Sequence, residues 1–326
     1  MNKRRKLLLA LGATALASPL TPLAQPTKVW RIGVLGPESA SWQSERLDYM
    51  RAGLRDLGYL ENKNIVFELR YADSKYEQLP GLAADLVRLN VDVLVAFGTP
   101  AAKAAKQATT TIPIVMVSVG DPVGTGLVAS LARPGGNATA IAILGPELMV
   151  KRIELIHEMY PRVKQVAMLV NASNPSNANT YKITAIAVKA LKIDLQKYDV
   201  TNLDEIKSAF ATMAKRGAGA VVFAQDGLLI RNYASIALLA EKQRLPSSGP
   251  AEFPTAGGLI GLGALSSEVY RRAATYIDKI FKGAKPGELP VEQPTKFELV
   301  VNMKTAKTLG VKIPNSILVR ATKVIN

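Results

Sequence analysis

From Val29 onward, apolar runs of strand length alternate with amphipathic segments of helix length. That is the pattern of a parallel sheet whose successive strands are joined by covering helices. VWRIGVLG reads as a strand, SWQSERLDYMRAGLRDLGY as a helix, NIVFELRYAD as a strand and YEQLPGLAADLVRLN as a helix. VDVLVAFG, TPAAKAAKQATT and PIVMVSVG then add strand, helix and strand. The rhythm breaks over GDPVGTGLVASLARPGGNATAIAI, where glycines and prolines crowd between short apolar pieces. Loops beside a ligand cleft, and the approach to a crossover between domains, are expected there.

A helix over ELMVKRIELIHEMYP, ending at Pro161, restarts the alternation. VKQVAMLVN is a strand, the residues around NTYKITAIAVKALK a helix, IDLQKYDV a strand, and NLDEIKSAFATMAKRG a helix with Asn202 as its N-cap. GAVVFAQD, the helix RNYASIALLAEKQR and GGLIGLGAL complete a second set. One architecture therefore occurs twice without evident identity between the halves, which predicts two α/β lobes.

Near the end, PGELPVEQPTKF separates the basic helical segment VYRRAATYIDKIFKG from a β-like run, FELVVN. Proline fixes φ and removes an amide donor, so this stretch can be neither a helix interior nor a central strand. A proline-stiffened crossing of the surface is expected, delivering FELVVN as a strand back to the first lobe. The expected division is a leader over 1–24, a first lobe over 29–145 with a returning segment 291–326, and a second lobe over 160–290.

Length agrees with this division, since 326 residues suit two domains of about 150 each. The first residues, MNKRRKLLLALGATALASPLTPLAQ, place a basic run from Lys3 to Lys6 before an uncharged apolar stretch and then small residues and prolines. That is the form of a secretory signal peptide, with cleavage after Ala17 or Ala24. Its apolar stretch from Leu7 to Ala17 falls short of the roughly 20 residues that span a bilayer. The pair Arg4-Arg5 leaves the twin-arginine route open beside the general one. The chain has no cysteine, which excludes a disulfide scaffold and removes the thiol that lipid anchoring needs. A free periplasmic protein is expected. The charge of +15 falls to about +11 without the leader, and the remaining Lys and Arg are scattered, so nucleic acid is not expected as a partner.

The stretch YRRAATYIDKIFKGAKPGELPVEQPTKFELVVNMKTAKTLGVKIPNSILVRATKVI resembles the C-terminal signature of the tryptophan/tyrosine-type family of periplasmic ABC-transporter substrate-binding proteins. The resemblance continues through DPVGTGLVASLARPGGNATA, GTPAAKAAKQATTTIPIVMVSV and AGLRDLGYLENKNIVFELRYAD. It implies the type I periplasmic-binding-protein fold, two doubly wound parallel-sheet lobes with hinge crossovers and a ligand trapped between them. It also implies a monomer that binds a small-molecule ligand, an amino acid or similar carboxylate with aromatic ones among the candidates. Such a receptor docks transiently on an inner-membrane ABC permease and needs no cofactor. The chain departs from the family at Ala140-Ile141, in GLIGLGAL and in LPSSGPAEF, where relatives carry a glycine or tyrosines. These departures leave the pocket for the ligand side chain open.

In open parallel sheets ligands bind beyond the carboxyl ends of the strands, and that rule selects candidates. After the first strand, Ser39 and Ser41 offer hydroxyls and Trp42 an aromatic face, with packing under the first helix as the alternative for Trp42. Thr99 can cap a helix whose free amides face an anion. Ser118 and Asp121 close the fourth strand, Asp121 alternatively capping the turn before Pro122. In the second lobe Asn171 and Asp226 end strands that face the same cleft. Asp226 is the expected acceptor for a ligand ammonium, with a turn role as its alternative.

Enzyme chemistry has little material here. The one histidine, His157, lies inside a predicted helix, where a solvent-edge residue is expected rather than a base, and with no cysteine and no second histidine a zinc cluster or a Ser/His/Asp triad has little material. The glycines of GDPVGTG and GGLIGLG complete no nucleotide-cradling motif. A carboxylate-only enzyme and a receptor feeding a membrane-bound sensor remain the rival classes.

Overall fold

A computed structural model describes residues 28–326; the expected leader and its cleavage sites lie outside the described residues. The first lobe is built on five parallel strands, β1 (Trp30–Gly36), β2 (Ile65–Tyr71), β3 (Val93–Phe97), β4 (Ile114–Gly120) and β5 (Ala138–Ile143), in the order β2-β1-β3-β4-β5. These strands are nearly continuous buried apolar runs, as strands covered on both faces must be. Helix α1 (Ala40–Asp56) covers one face, while α2 (Leu79–Arg88) and α3 (Gly98–Ala108) cover the other.

The second lobe begins with α4 (Gly145–Met159), and its sheet holds β6 (Gln165–Asn171), β7 (Asp194–Val200), β8 (Ala220–Phe223), β9 (Ser247–Gly249), β10 (Ile260–Ala264), β11 (Phe297–Asn302) and β12 (Lys323–Ile325). The order is β12-β11-β10-β9-β8-β6-β7. Helices α5 (Pro175–Ala187), α6 (Leu203–Lys215), α7 (Gly227–Arg231) and α8 (Tyr233–Lys242) connect its strands. The expected cap of α6 is present: Asn202 Oδ1 accepts from the Glu205 N–H at 2.9 Å, and Glu205 reaches back to the Thr201 N–H at 2.7 Å. Strand β9, with the sequence SSG, was not legible from apolar patterning, yet it is buried between β8 and β10.

Both lobes reverse strand order at the same place, between β1 and β3 and between β6 and β8. At such a switch point the connecting helices leave to opposite faces and a crevice opens beyond the strand ends. The loops after these four strands bring the two crevices together.

The C-terminal third departs from the expected route. Helix α9 (Ser266–Phe281) leaves the second lobe and packs on α1, burying Val269, Tyr270, Ala273, Ala274, Tyr276 and Ile277 in the core of the first lobe. Gly53 makes this approach possible, because a Cβ there would lie 2.7 Å from the Arg271 carbonyl oxygen. The chain then runs along the free edge of β5. Glu292 donates to Ala140 O at 3.0 Å and accepts from the Ala142 N–H at 2.8 Å, while Leu289 O accepts from the Thr139 hydroxyl at 2.8 Å. FELVVN forms β11, which pairs antiparallel with β10 in the second lobe, not with the first sheet. The sequence-based expectation therefore had the crossing reversed: the helix joins the first lobe, and the proline segment carries the chain back to the second. The reason lies in α9, whose broad apolar face is completed by α1. Three crossings result, after β5, after β10 and over residues 293–296.

Candidate functional site

The crevice between the lobes is lined from the first lobe by Glu38, Trp42, Gln43, Arg46, Thr99 and Ser118, with Tyr76, Phe97 and Tyr270 supplying further aromatic surface. The second lobe contributes Asn174, Ser176, Gln225, Asp226 and Gly227. Glu38, Thr99, Asn174, Ser176, Gln225, Asp226 and Gly227 stand within a few residues of the ends of β1, β3, β6 or β8, where the strand-end rule puts them, whereas Tyr76 follows β2 and Tyr270 lies on α9.

Asp226 is 2% exposed, N-caps α7 and receives four donors from its own lobe. Its Oδ1 accepts from Asn171 Nδ2 and the Leu228 N–H, both at 2.9 Å; its Oδ2 accepts from Asn174 Nδ2 at 2.8 Å and Asn177 Nδ2 at 3.2 Å. Burial pushes its carboxyl above the usual range, and the Asn174 and Asn171 amides oppose that shift. A carboxylate has about four lone-pair positions, so the chain's own groups fill this one. Asn171 therefore serves Asp226 and does not line the crevice.

Glu38, 1% exposed, is the corresponding carboxylate of the first lobe. It accepts from the Ser74 and Tyr76 hydroxyls, the latter at 2.8 Å, and from Arg231 Nη1 of the second lobe at 2.6 Å. Arg231 also contacts the Ser74 hydroxyl, so one cation ties α7 to two parts of the first lobe. Burial and the neighbouring Asp226 and Glu38 charges raise the Tyr76 phenol far above its ordinary value, keeping it a donor.

Ser118 sits at a register shift in β4 with φ at 59°. Left-handed backbone is uncommon for a residue with a side chain and concentrates at binding sites. Its hydroxyl lies 3.4 Å from Gln225 Nε2 of the second lobe. Thr99 lines the crevice but does not cap α3, whose N-cap position is Phe97; its hydroxyl accepts from the Gly120 N–H at 3.0 Å and ties β4 to α3.

Trp42 lines the crevice and carries the Arg46 guanidinium 3.7 Å above its ring. Ser39 and Ser41 are not brought there. Ser39 caps α1, accepting from the Trp42 N–H at 3.4 Å, and bonds Ser41 at 3.1 Å on the surface. Asp121 is also outside the crevice. It accepts from the Gly124 N–H at 2.9 Å, as the turn-capping alternative requires, and from Asn179 of α5 across the lobes. Glu38, Gln43, Arg46, Tyr76 and Tyr270 were missed by sequence reasoning. Glu38 stands next to Ser39 in the loop after the first strand, and Gln43 and Arg46 on the first two turns of the predicted helix; nothing local marked Tyr270.

The lobes meet closely because glycines stand at the seam. A Cβ on Gly227 would lie 2.7 Å from the Glu38 carboxyl carbon, and one on Gly120 would lie 2.8 Å from Ser176 Oγ. Beneath the seam, Arg152 is fully buried and donates to Leu262 O and Phe223 O, tying β8 to β10; burial pushes its guanidinium down to about 10. Among the described residues no group of His, Cys, Asp or Glu side chains is placed to hold a metal ion, and no helix is long and apolar enough to cross a membrane.

Comparison with known proteins gives a consistent result. The family model for ABC transporter substrate binding proteins matches residues 33–325. A tyrosine-binding protein of Clostridioides difficile is 24% identical over 277 residues, which are 84% of this chain and 79% of that protein. The crystal structure of a conserved domain protein from Vibrio cholerae superposes with a TM-score of 0.86 at 28% identity, covering 91% of this chain and 100% of the other. That of an ABC domain from Streptococcus pneumoniae in complex with L-Trp gives 0.83 at 25% identity, covering 90% and 100%.

Two outcomes are expected. Asp226→Ala leaves three buried amides and an N–H without their acceptor, so it lowers folding stability by at least about 2 kcal/mol, measured by denaturant unfolding of the ligand-free protein. Gly227→Val, by contrast, leaves thermal stability within a few degrees but weakens ligand binding about tenfold or more, which corresponds to about 1.4 kcal/mol, because the added side chain meets Glu38 when the lobes close. Unchanged affinity in Gly227→Val would show that ligand is bound without this approach.

Proposed function

The chain belongs to the family of ABC transporter substrate-binding proteins, and we propose that it is the periplasmic solute receptor of an importer, trapping an aromatic amino acid or a similar small carboxylate between its lobes. The observation that carries this reading is the crevice itself. Its aromatic side chains all come from the first-lobe side, where polar groups stand among them, its second-lobe side is mostly polar, and it is crossed by contacts that exist only while the lobes are together. A ligand touching both lobes adds to those contacts and shifts the population toward the closed form. Closure then presents a surface that a membrane permease distinguishes from the empty receptor.

The relatives support the class of ligand. One is named for binding tyrosine, and another was solved with L-Trp. Trp42, Thr99, Ser118 and Asp226 remain the ligand neighbours favoured from the sequence. Asp226 acts here chiefly by fixing Asn174, since its own lone pairs are filled. Export is part of this proposal and is supported by the basic run Lys3–Lys6 followed by the apolar run Leu7–Ala17, the pattern of a secretory leader.

A thermal-shift screen against amino acids, aromatic acids, sugars and nucleosides tests the ligand class, since a molecule bound by the native state raises the melting temperature. L-Tryptophan, L-tyrosine or a related acid is expected to do so; a shift by sugars or nucleosides alone sinks the reading. Cell fractionation is expected to find a shortened chain in the periplasmic fraction, and an intact N-terminus retained in the cytoplasm would refute the location.

A further inference from the structure

Gln43 is 1% exposed and lines the crevice, yet neither its amide nitrogen nor its amide oxygen has a hydrogen-bond partner. Buried polar groups are nearly always paired, so an orphaned amide facing a cavity calls for a missing partner. Its Nε2 lies 3.1 Å from where a Cβ on Gly36 would stand, which puts the amide over the carboxyl end of β1. The absent side chain of Gly36 leaves space that the Tyr71 ring and the Gln43 amide share.

Arg46 follows one turn later on the same face of α1. Its guanidinium rests on Trp42 and donates to Trp42 O at 3.1 Å, and among the described residues no carboxylate is within ion-pair distance of it. A guanidinium has five N–H donors, so donors remain. The first turn of α1 holds no acidic residue, and a helix N-terminus favours negative charge. The acids of the crevice are otherwise engaged: Asp226 by amides of its own lobe, Glu38 by two hydroxyls and Arg231. The open charge in the crevice is thus a cation, and the open polar group beside it is an amide.

We propose that Gln43 and Arg46 form the carboxylate end of the ligand site. Gln43 Nε2 and the Arg46 guanidinium donate to the carboxylate oxygens of the ligand, whose ring lies among the aromatic side chains of the same crevice. The Gln43 amide oxygen stays available for an ammonium when the ligand carries one. This assignment rests on the receptor reading above and names the groups that read the acid. It differs from the hydroxyl set expected at the strand ends, in which Ser39 caps α1 and bonds Ser41 instead.

Calorimetric titration of the purified protein with three probes tests it: L-tryptophan, indole-3-propionate, which keeps the carboxylate without the ammonium, and tryptamine, which keeps the amine without the carboxylate. The unsubstituted protein is expected to bind the first two and not the third. Gln43→Leu, close in volume, and Arg46→Gln are each expected to weaken binding tenfold or more. Gln43→Glu, which sets an anion against an anion, is expected to weaken it further than Gln43→Leu. Because it removes an unpartnered buried group, Gln43→Leu is also expected to raise the melting temperature of the ligand-free protein. Tighter binding by Gln43→Glu, preference for tryptamine, or a lowered melting temperature in Gln43→Leu would each overturn the assignment. Unchanged affinity in both Gln43→Leu and Arg46→Gln would overturn it while leaving the receptor reading intact. Failure of the unsubstituted protein to bind any of the three would overturn the aromatic reading and the carboxylate assignment together.

Discussion

Two buried carboxylates, Glu38 and Asp226, line one crevice from opposite lobes, and the need to compensate them organises the site. An ionised group out of water must be hydrogen-bonded or paired. The two are satisfied differently. Asp226 takes all its donors from its own lobe, so the half-site around it is assembled whether or not the lobes meet. Glu38 takes two hydroxyls from its own lobe and its cation from the other. Its compensation is complete only in the closed arrangement.

That asymmetry gives the closed form a definite geometry. Arg231 can reach Glu38 because Gly227 lets α7 approach the loop after β1. On the other flank Gly120 accommodates Ser176, and the left-handed backbone at Ser118 and Asp121 turns both side chains toward the second lobe. Closure is a fit of backbone against side chain at the seam, with polar contacts placed around a crevice that also holds Trp42, Tyr76, Phe97 and Tyr270. Such contacts are short enough to be selective but few enough to part.

The crossings make parting possible without unfolding either core. Helix α9 belongs to the second lobe by sequence neighbourhood and to the first by packing, where Tyr270 meets Phe97 edge-on at 5.1 Å. The proline segment that follows is stitched to the edge of β5 and then released to β11. Prolines suit this route because an edge strand leaves one side without amide partners. The carbonyl of Pro290 also accepts from the Tyr276 hydroxyl at 2.5 Å, locking the strap to the helix it follows.

Hydrophobic periodicity carried the two α/β lobes and most of their elements, because burial of a strand or helix face is written into spacing along the chain. The strand-end rule likewise reached Trp42, Thr99, Ser118 and Asp226, since loops after strands are local features. Strand β9 escaped because Ser247 and Ser248 are buried without being apolar. The direction of the C-terminal crossing escaped because an amphipathic face states that α9 must be covered, not by which lobe. The partners of Glu38 lie 36, 38 and 193 residues away, and those of Asp226 lie 49 to 55 residues away apart from its own helix cap. Which carboxylate is enclosed by its own lobe, which is completed by the other, and which amide is left open are consequences of long-range contact. Residue type and order set the repertoire of charges and donors; only the folded chain decides which of them neutralise one another and which remain for a ligand.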